Sequence, residues 1–258
     1  MRIVTLVENT ACQDCLTAEH GLSLYIETGN QKILFDAGQS GAFAENAEKL
    51  GIDLSKVDLA VLSHGHYDHG GGLLRFLEIN GSAPVWMNPH AFEGHYNASD
   101  KYIGLAPGLA ESRRIRFAEN GQTVGNGLTL YSRIDCLHGI RPFGLTVKER
   151  GILVPEDFRH EQYLLIEEAG KRILISGCSH RGILNIMNHF RPDVLIGGFH
   201  FMKMDPEGEE LDAAAAELKR FPCVYYTGHC TGQAQFARLK KALGQQLHGL
   251  STGNEIIL

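Results

Sequence analysis

Ser63-His64-Gly65-His66-Tyr67-Asp68-His69-Gly70-Gly71-Gly72 is the stretch on which the reading of this chain turns. Before it, Val57-Asp58-Leu59-Ala60-Val61-Leu62 has the length and β-branched, apolar character of a buried strand. After it, Leu73-Leu74-Arg75-Phe76-Leu77 begins a helical pattern. The four ligand-type residues His64, His66, Asp68 and His69 therefore fall where a strand gives way to a helix, the usual place for sites in open α/β sheets. Neutral imidazole is a common metal ligand and Asp a hard oxygen partner, so the spacing predicts a metal loop rather than a histidine-rich surface turn.

Composition sets the outer bounds. The 258 residues are 43% hydrophobic, enough for a sizeable core, and carry a formal net charge of −6. That balance argues against nucleic acid as a partner, yet leaves room for a locally basic pocket that takes a small anion. No run reaches the roughly 18–20 apolar residues that a membrane span needs, so no membrane partner is expected. The N-terminus reads as a first strand rather than a signal peptide, which favours the cytoplasm and reduced thiols for the six cysteines. Oligomeric state is not legible, a homodimer being the ordinary prior for such an enzyme.

In chain order, residues 2–8 read as a strand, and Cys12-x-x-Cys15 follows as an incidental pair, since no second pair completes a zinc knuckle. Strands over Glu19–Thr28 and Gln31–Asp36 meet at Gly29-Asn30, a hairpin signal. Asp36, ending its strand, is either a turn residue or a support for a metal-bound imidazole. The stretches 88–116 and 136–160 lack periodicity and are expected to shape a substrate pocket. Later strand ends carry His180, His200 and His229, each followed by helical or turn sequence. Leu211–Arg220 and Gln233–Leu243 read as helices, and Glu255–Leu258 as a closing strand. The economical organisation is one domain, 1–258, built from two αβ halves.

His64-Gly65-His66-Tyr67-Asp68-His69 resembles the signature of the metallo-β-lactamase superfamily. Glu19-His20-Gly21-Leu22-Ser23, Leu34-Phe35-Asp36-Ala37-Gly38-Gln39-Ser40, Ser176-Gly177-Cys178-Ser179-His180, Gly197-Gly198-Phe199-His200 and Thr227-Gly228-His229-Cys230-Thr231-Gly232 extend the resemblance over nearly the whole chain. Together they look like the branch related to the dihydropterin ribofuranosyl-aminobenzene phosphate synthases. The resemblance implies an α/β (α+β) fold, the four-layered αββα sandwich, with two divalent metal ions. By position, His64 and His66 match one metal site, with His180 as its candidate third ligand. Asp68 and His69 match the other, with His229 completing it. Many members place a bridging Asp where this chain has Cys178, which either ligates or packs.

The donor mix suits zinc first, with manganese or iron as the other choices. Such a site activates water or polarises a phosphoryl or carbonyl group. Asp68 and His200 are the candidate catalytic groups; His20, His90, Arg113 and Arg141 are the candidate substrate-binding residues. Three functions stay open: a synthase-like transferase acting on a pterin-like or small anionic substrate, a hydrolase of a small phosphoester or lactone, and a non-catalytic metal sensor.

Overall fold

The computed structural model describes residues 1–258. Its strands are β1 (Arg2–Val7), β2 (Ser23–Glu27), β3 (Lys32–Phe35), β4 (Leu59–Val61), β5 (Val85–Met87), β6 (His95–Tyr96), β7 (Ile115–Phe117), β8 (Gln122–Gly125), β9 (Leu128–Tyr131), β10 (Thr146–Glu149), β11 (Ile152–Pro155), β12 (Tyr163–Glu168), β13 (Lys171–Ile175), β14 (Val194–Ile196), β15 (Val224–Thr227), β16 (Leu247–Gly249) and β17 (Glu255–Ile257). The helices are α1 (Ala42–Lys49), α2 (Tyr67–Gly70), α3 (Leu73–Ile79), α4 (Ile183–Phe190), α5 (Glu209–Lys219) and α6 (Gln233–Leu243).

Two seven-stranded sheets form the body, in the orders β17-β1-β2-β3-β4-β5-β7 and β16-β15-β14-β13-β12-β9-β8. Alternation of side chains along the strands explains how they stack. Ile33 and Phe35 enter one apolar cluster while Leu34 between them enters another. Ile173 and Ile175 join the first of these from the second sheet, and Leu174 points the other way into a third cluster. The shared cluster is therefore the seam between the sheets. The outer two lie under helices: Phe43, Ala47, Leu73 and Phe76 of α1 and α3 on one side, Ile186, Leu211, Leu218 and Leu239 of α4 to α6 on the other. The result is four layers, αββα. Strands buried on both faces need apolar residues at nearly every position, which is why their sequences read as continuous runs.

Parallel pairing of β3 with β4 and β4 with β5, and of β13 with β14 and β14 with β15, sends their carboxyl ends to the same edges. Four non-glycine residues just past such ends, Asp36, Ser179, His200 and His229, have φ between 45° and 59°. Left-handed backbone at non-glycine residues is costly and concentrates at functional sites.

One expectation is revised here. The stretches read as irregular contain a small third sheet, β11-β10-β6, with strands of two to four residues. Strands this short carry no readable period. Cys12 and Cys15 are both exposed and free. No helix is long and apolar enough to cross a membrane.

Leu195, fully buried at the centre of β14, tests the layering. Leu195→Ala should cost about 2–5 kcal/mol in urea denaturation through the lost contacts and the cavity left behind. A loss well under 1 kcal/mol would mean that the α4 to α6 layer is not packed on this strand.

Candidate metal centre

The centre is built from strand ends. His64 follows β4, Cys178 and His180 follow β13, His200 follows β14 and His229 follows β15. His64 and His69 are fully buried, and His66, Cys178, His180 and His229 nearly so. Close approach of the two halves needs glycine: a Cβ on Gly177 would collide with the Ser63 side chain and sit 3.1 Å from the His64 ring.

Hydrogen bonds decide which ring nitrogens can bind a cation. Asp36 Oδ1 accepts the Ser63 N–H at 2.7 Å, and its Oδ2 accepts both the Ser63 hydroxyl and His69 Nδ1–H, each at 2.7 Å. Because Ser63 gives its proton to Asp36, its Oγ can only accept from His64 Nδ1–H, 2.8 Å away. His229 Nδ1–H reaches Asn9 Oδ1 at 3.0 Å. In the neutral form, His64, His69 and His229 therefore all present a bare lone pair at Nε2. Yet His69 Nε2 and His229 Nε2 stand 3.2 Å apart. With both rings neutral, neither carries a proton to join them. Burial opposes charge on His69, but Asp36 and Asp68 outweigh it and raise its pKa, so this gap draws positive charge, as a proton or a metal ion. His180 Nε2 lies 3.3 Å from the bare Nε2 of His64.

These spacings fit shared coordination, since donors on one tetrahedral zinc at roughly 2.0–2.1 Å lie about 3.3 Å from each other. Cys178 Sγ is 3.2 Å from His69 Nε2, and it falls within reach of both imidazole pairs, His64 with His180 and His69 with His229. Asp68 Oδ2 sits 3.4 Å from His229 Nε2 and 4.0 Å from His69 Nε2, and 3.4 Å from His20 Nε2. The donor atoms thus fall into two groups of a kind that can hold a cation, with Cys178 Sγ in reach of both. The sequence left its role open.

Electrostatics agree. Burial, then the crowd of neighbouring imidazoles, holds His64 and His180 well below the ordinary histidine value, so both are neutral at pH 7. Burial lowers His66 to about 3. Burial opposes the charge on Asp68, but its contact with His229 and the nearby His69 and His66 outweigh it and keep the carboxylate ionised. Burial and the neighbouring Cys230 push the Cys178 thiol well above its usual range, so only a cation would hold it as thiolate.

His66 falls outside both imidazole pairs. Its ring edges toward His64 and His180, with centroids at 4.6 and 4.9 Å, but its donor atom groups with His95, Glu156 and His160. His95, Glu156 and His160 carried no usable sequence signal, lying in or beside the small sheet. Glu8, Asn9 and Glu161 were missed as well. Glu161 accepts the backbone N–H groups of His180 and Arg181 at 2.7 and 3.0 Å, and Glu8 accepts that of His229.

Beside His180 opens a cavity of about 330 Å³ whose lining includes His138, Arg141, Phe143, Asn185, Phe199 and His200. His200 packs 4.2 Å from the His180 ring and 5.5 Å from Phe143, and burial lowers its pKa to about 4. Arg141 pairs with Glu210 at the rim. His20 lies at the centre's outer side, 4.6 Å from the His229 ring. The other two predicted contacts are corrected: exposed His90 is held by Glu93, Arg113 is exposed, and neither lines the cavity. Nor does any residue of 88–116; the wall comes from 138–143, from the loops 179–182 and 199–204, and from α4 and α5. The stretch 88–116 is used up in covering the first sheet, with Ala91, Leu105 and Leu109 in its cluster.

Comparison with known proteins follows the same lines. The sequence profile of the metallo-β-lactamase superfamily matches residues 16–229. The 7,8-dihydropterin-6-methyl-4-(β-D-ribofuranosyl)-aminobenzene-5'-phosphate synthase of Methanocaldococcus jannaschii is 29% identical over 269 residues, 90% of this chain and 88% of that one. An uncharacterized protein of the same organism is 29% identical over 93% of this chain and 94% of its own. The crystal structure of Tm1679, described as a metal-dependent hydrolase of the β-lactamase superfamily, superposes with a TM-score of 0.88 at 26% identity, covering 100% of this chain and 99% of that one. Zn²⁺-bound PqqB from Methylobacterium extorquens shares the fold at a TM-score of 0.65 and 14% identity, with both chains covered completely. This chain belongs to the metallo-β-lactamase superfamily.

Proposed function

We propose that this chain is a metal-dependent enzyme of the synthase-like branch, with two divalent cations held by His64, His66 and His180 and by Asp68, His69 and His229, and with Cys178 between them. The observation that carries the reading is the pair of bare imidazole nitrogens, His69 Nε2 and His229 Nε2, facing each other at 3.2 Å. Two buried acceptors at that distance repel unless positive charge, a proton or a metal ion, lies between them, and the raised pKa of His69 marks the same pull. Zinc is the preferred metal, manganese and iron the alternatives.

Cations in such a site supply Lewis acidity, polarising a phosphoryl or carbonyl oxygen and acidifying water. The chain supplies the rest. The Phe143, Phe199 and His200 side of the cavity suits a planar, pterin-like group, and Arg141 at the rim suits an anionic one. His200, neutral above about pH 4, is placed to accept a proton from a reacting group in the cavity. Asp68, partly open to water beside His20, is the second group able to take one. Transfer with loss of diphosphate is the first reading, supported by the 29% identity to the named synthase. Hydrolysis of a small phosphoester or lactone is the second, supported by the likeness to Tm1679. The protein is read as a cytoplasmic enzyme, with a homodimer as its proposed assembly, and with no nucleic-acid partner.

Assay of the zinc- and manganese-loaded protein with a dihydropterin diphosphate and a ribofuranosyl-aminobenzene phosphate should release diphosphate only when both are present. Diphosphate release without the acceptor would favour hydrolysis, and no turnover of either kind would sink the transferase reading. His200→Ala should lower kcat by 10²–10⁴ with metal content unchanged, as expected for loss of a proton-transfer group; unchanged kcat would remove His200 from the chemistry. Cobalt-loaded protein should show a thiolate-to-metal charge-transfer band that Cys178→Ser abolishes. Persistence of the band would show that Cys178 only packs.

A further inference from the structure

Behind His66, away from the cavity, lie His95, Glu156 and His160, all buried, with donor atoms of the four residues within 4.8 Å of one another. Such a quartet invites a cation, but its hydrogen bonds argue otherwise. His160 Nδ1 accepts the backbone N–H of Gly65 at 2.8 Å, so its remaining nitrogen, Nε2, carries the proton and cannot ligate. His95 Nδ1–H donates to Glu156 Oε2 at 2.8 Å, which leaves Nε2 of His95 as a lone pair. Oε2 of that carboxylate is thereby committed to His95, while its Oε1 accepts the Phe158 N–H at 3.2 Å and lies 3.9 Å from His160 Nε2, beyond hydrogen-bond reach. Nε2 of His66, His95 and His160 are all buried without a partner.

The quartet therefore offers one fixed donor and one fixed acceptor to His66 Nε2. One bridging water would accept from His160 and His66 and donate to His95, leaving no nitrogen of the group unsatisfied. We infer that His95, Glu156 and His160 are positioning residues. They give the proton on His66 Nε2 a buried partner, and so turn the Nδ1 lone pair of His66 toward the cation that it shares with His64 and His180. Glu156 acts through His95, whose tautomer it fixes, and Gly65 acts through His160. The short β6 and β11, which carry or precede these residues, thereby tie the small third sheet to the metal loop. This inference rests on His66 being a ligand of the centre proposed above.

The test compares wild type, Glu156→Leu, His95→Leu and the conservative Glu156→Gln, whose amide oxygen can still accept from His95 Nδ1–H. Zinc affinity is measured by competition with a chelator, and stoichiometry at saturating zinc. The tautomer of His66 is read by ¹⁵N NMR of the zinc-loaded protein. Glu156→Leu and His95→Leu should bind one zinc tenfold to a hundredfold more weakly, the usual cost of removing a partner of a metal-bound histidine. Both should keep the wild-type stoichiometry at saturation. Glu156→Gln should stay near wild type, which a role in charge alone would not predict, and the His66 tautomer separates positioning from packing. The exchange-protected Nε2–H of His66 should be visible in wild type and Glu156→Gln and lost in the two leucine variants. Loss of a whole zinc equivalent at saturation would make the quartet a cation site and overturn the inference. So would wild-type affinity and tautomer in all variants. Failure of wild type itself to bind zinc, with His64→Ala unchanged from it, would instead overturn the centre and this inference together.

Discussion

Asp36 is one fully buried carboxylate, and three protons converge on it: the Ser63 N–H, the Ser63 hydroxyl and His69 Nδ1–H. Hydrogen bonds to a buried anion are stronger than neutral ones, and leaving such an anion unpaired is costly. The end of β3 is thereby fixed to the loop after β4. Through Ser63 the same carboxylate sets the tautomer of His64, and directly it sets that of His69. Residue 36 adopts a left-handed backbone to reach this position, with φ of 57°. Most of the centre's chemistry descends from this arrangement, because a histidine whose Nδ1 proton is engaged can only offer Nε2 to a cation.

The layers supply the rest. Sheets packed face to face across a shared apolar seam bring the carboxyl ends of β4, β13, β14 and β15 to one rim, and each end delivers imidazole or thiol donors. Electrostatic cost is high there, with His64, His66, His69, His180, His229 and a thiol withdrawn from water, and cations are the natural compensation. Cys178 between the two imidazole pairs distinguishes this centre from a carboxylate-bridged one. A thiolate is softer and more sensitive to oxidation, so the metal preference and the redox stability of the enzyme should both follow from that single residue.

Much of this was legible in the residues. The spacing His64-x-His66-x-Asp68-His69 between an apolar run and a helical pattern located the metal loop, and the later strand ends located His180, His200 and His229. Asp36 was readable as a partner for an imidazole. The quartet behind His66 was not legible, because His95, Glu156 and His160 come together only through a sheet of very short strands, and pairing at long sequence separation leaves no local period. His90 and Arg113 were plausible by type and misplaced by topology, since the stretch that holds them covers a sheet instead of walling the cavity. The tautomers that decide ligation depend on Asn9, Ser63 and Gly65, residues whose roles appear only when their partners are in place.

Anomalous X-ray scattering at the zinc edge, on crystals of the zinc-loaded protein, tests the central claim most directly. Two peaks are predicted, one bounded by His64 and His180 and the other by Asp68, His69 and His229, both in contact with Cys178 Sγ. A single peak, or one among His66, His95, Glu156 and His160, would contradict the account.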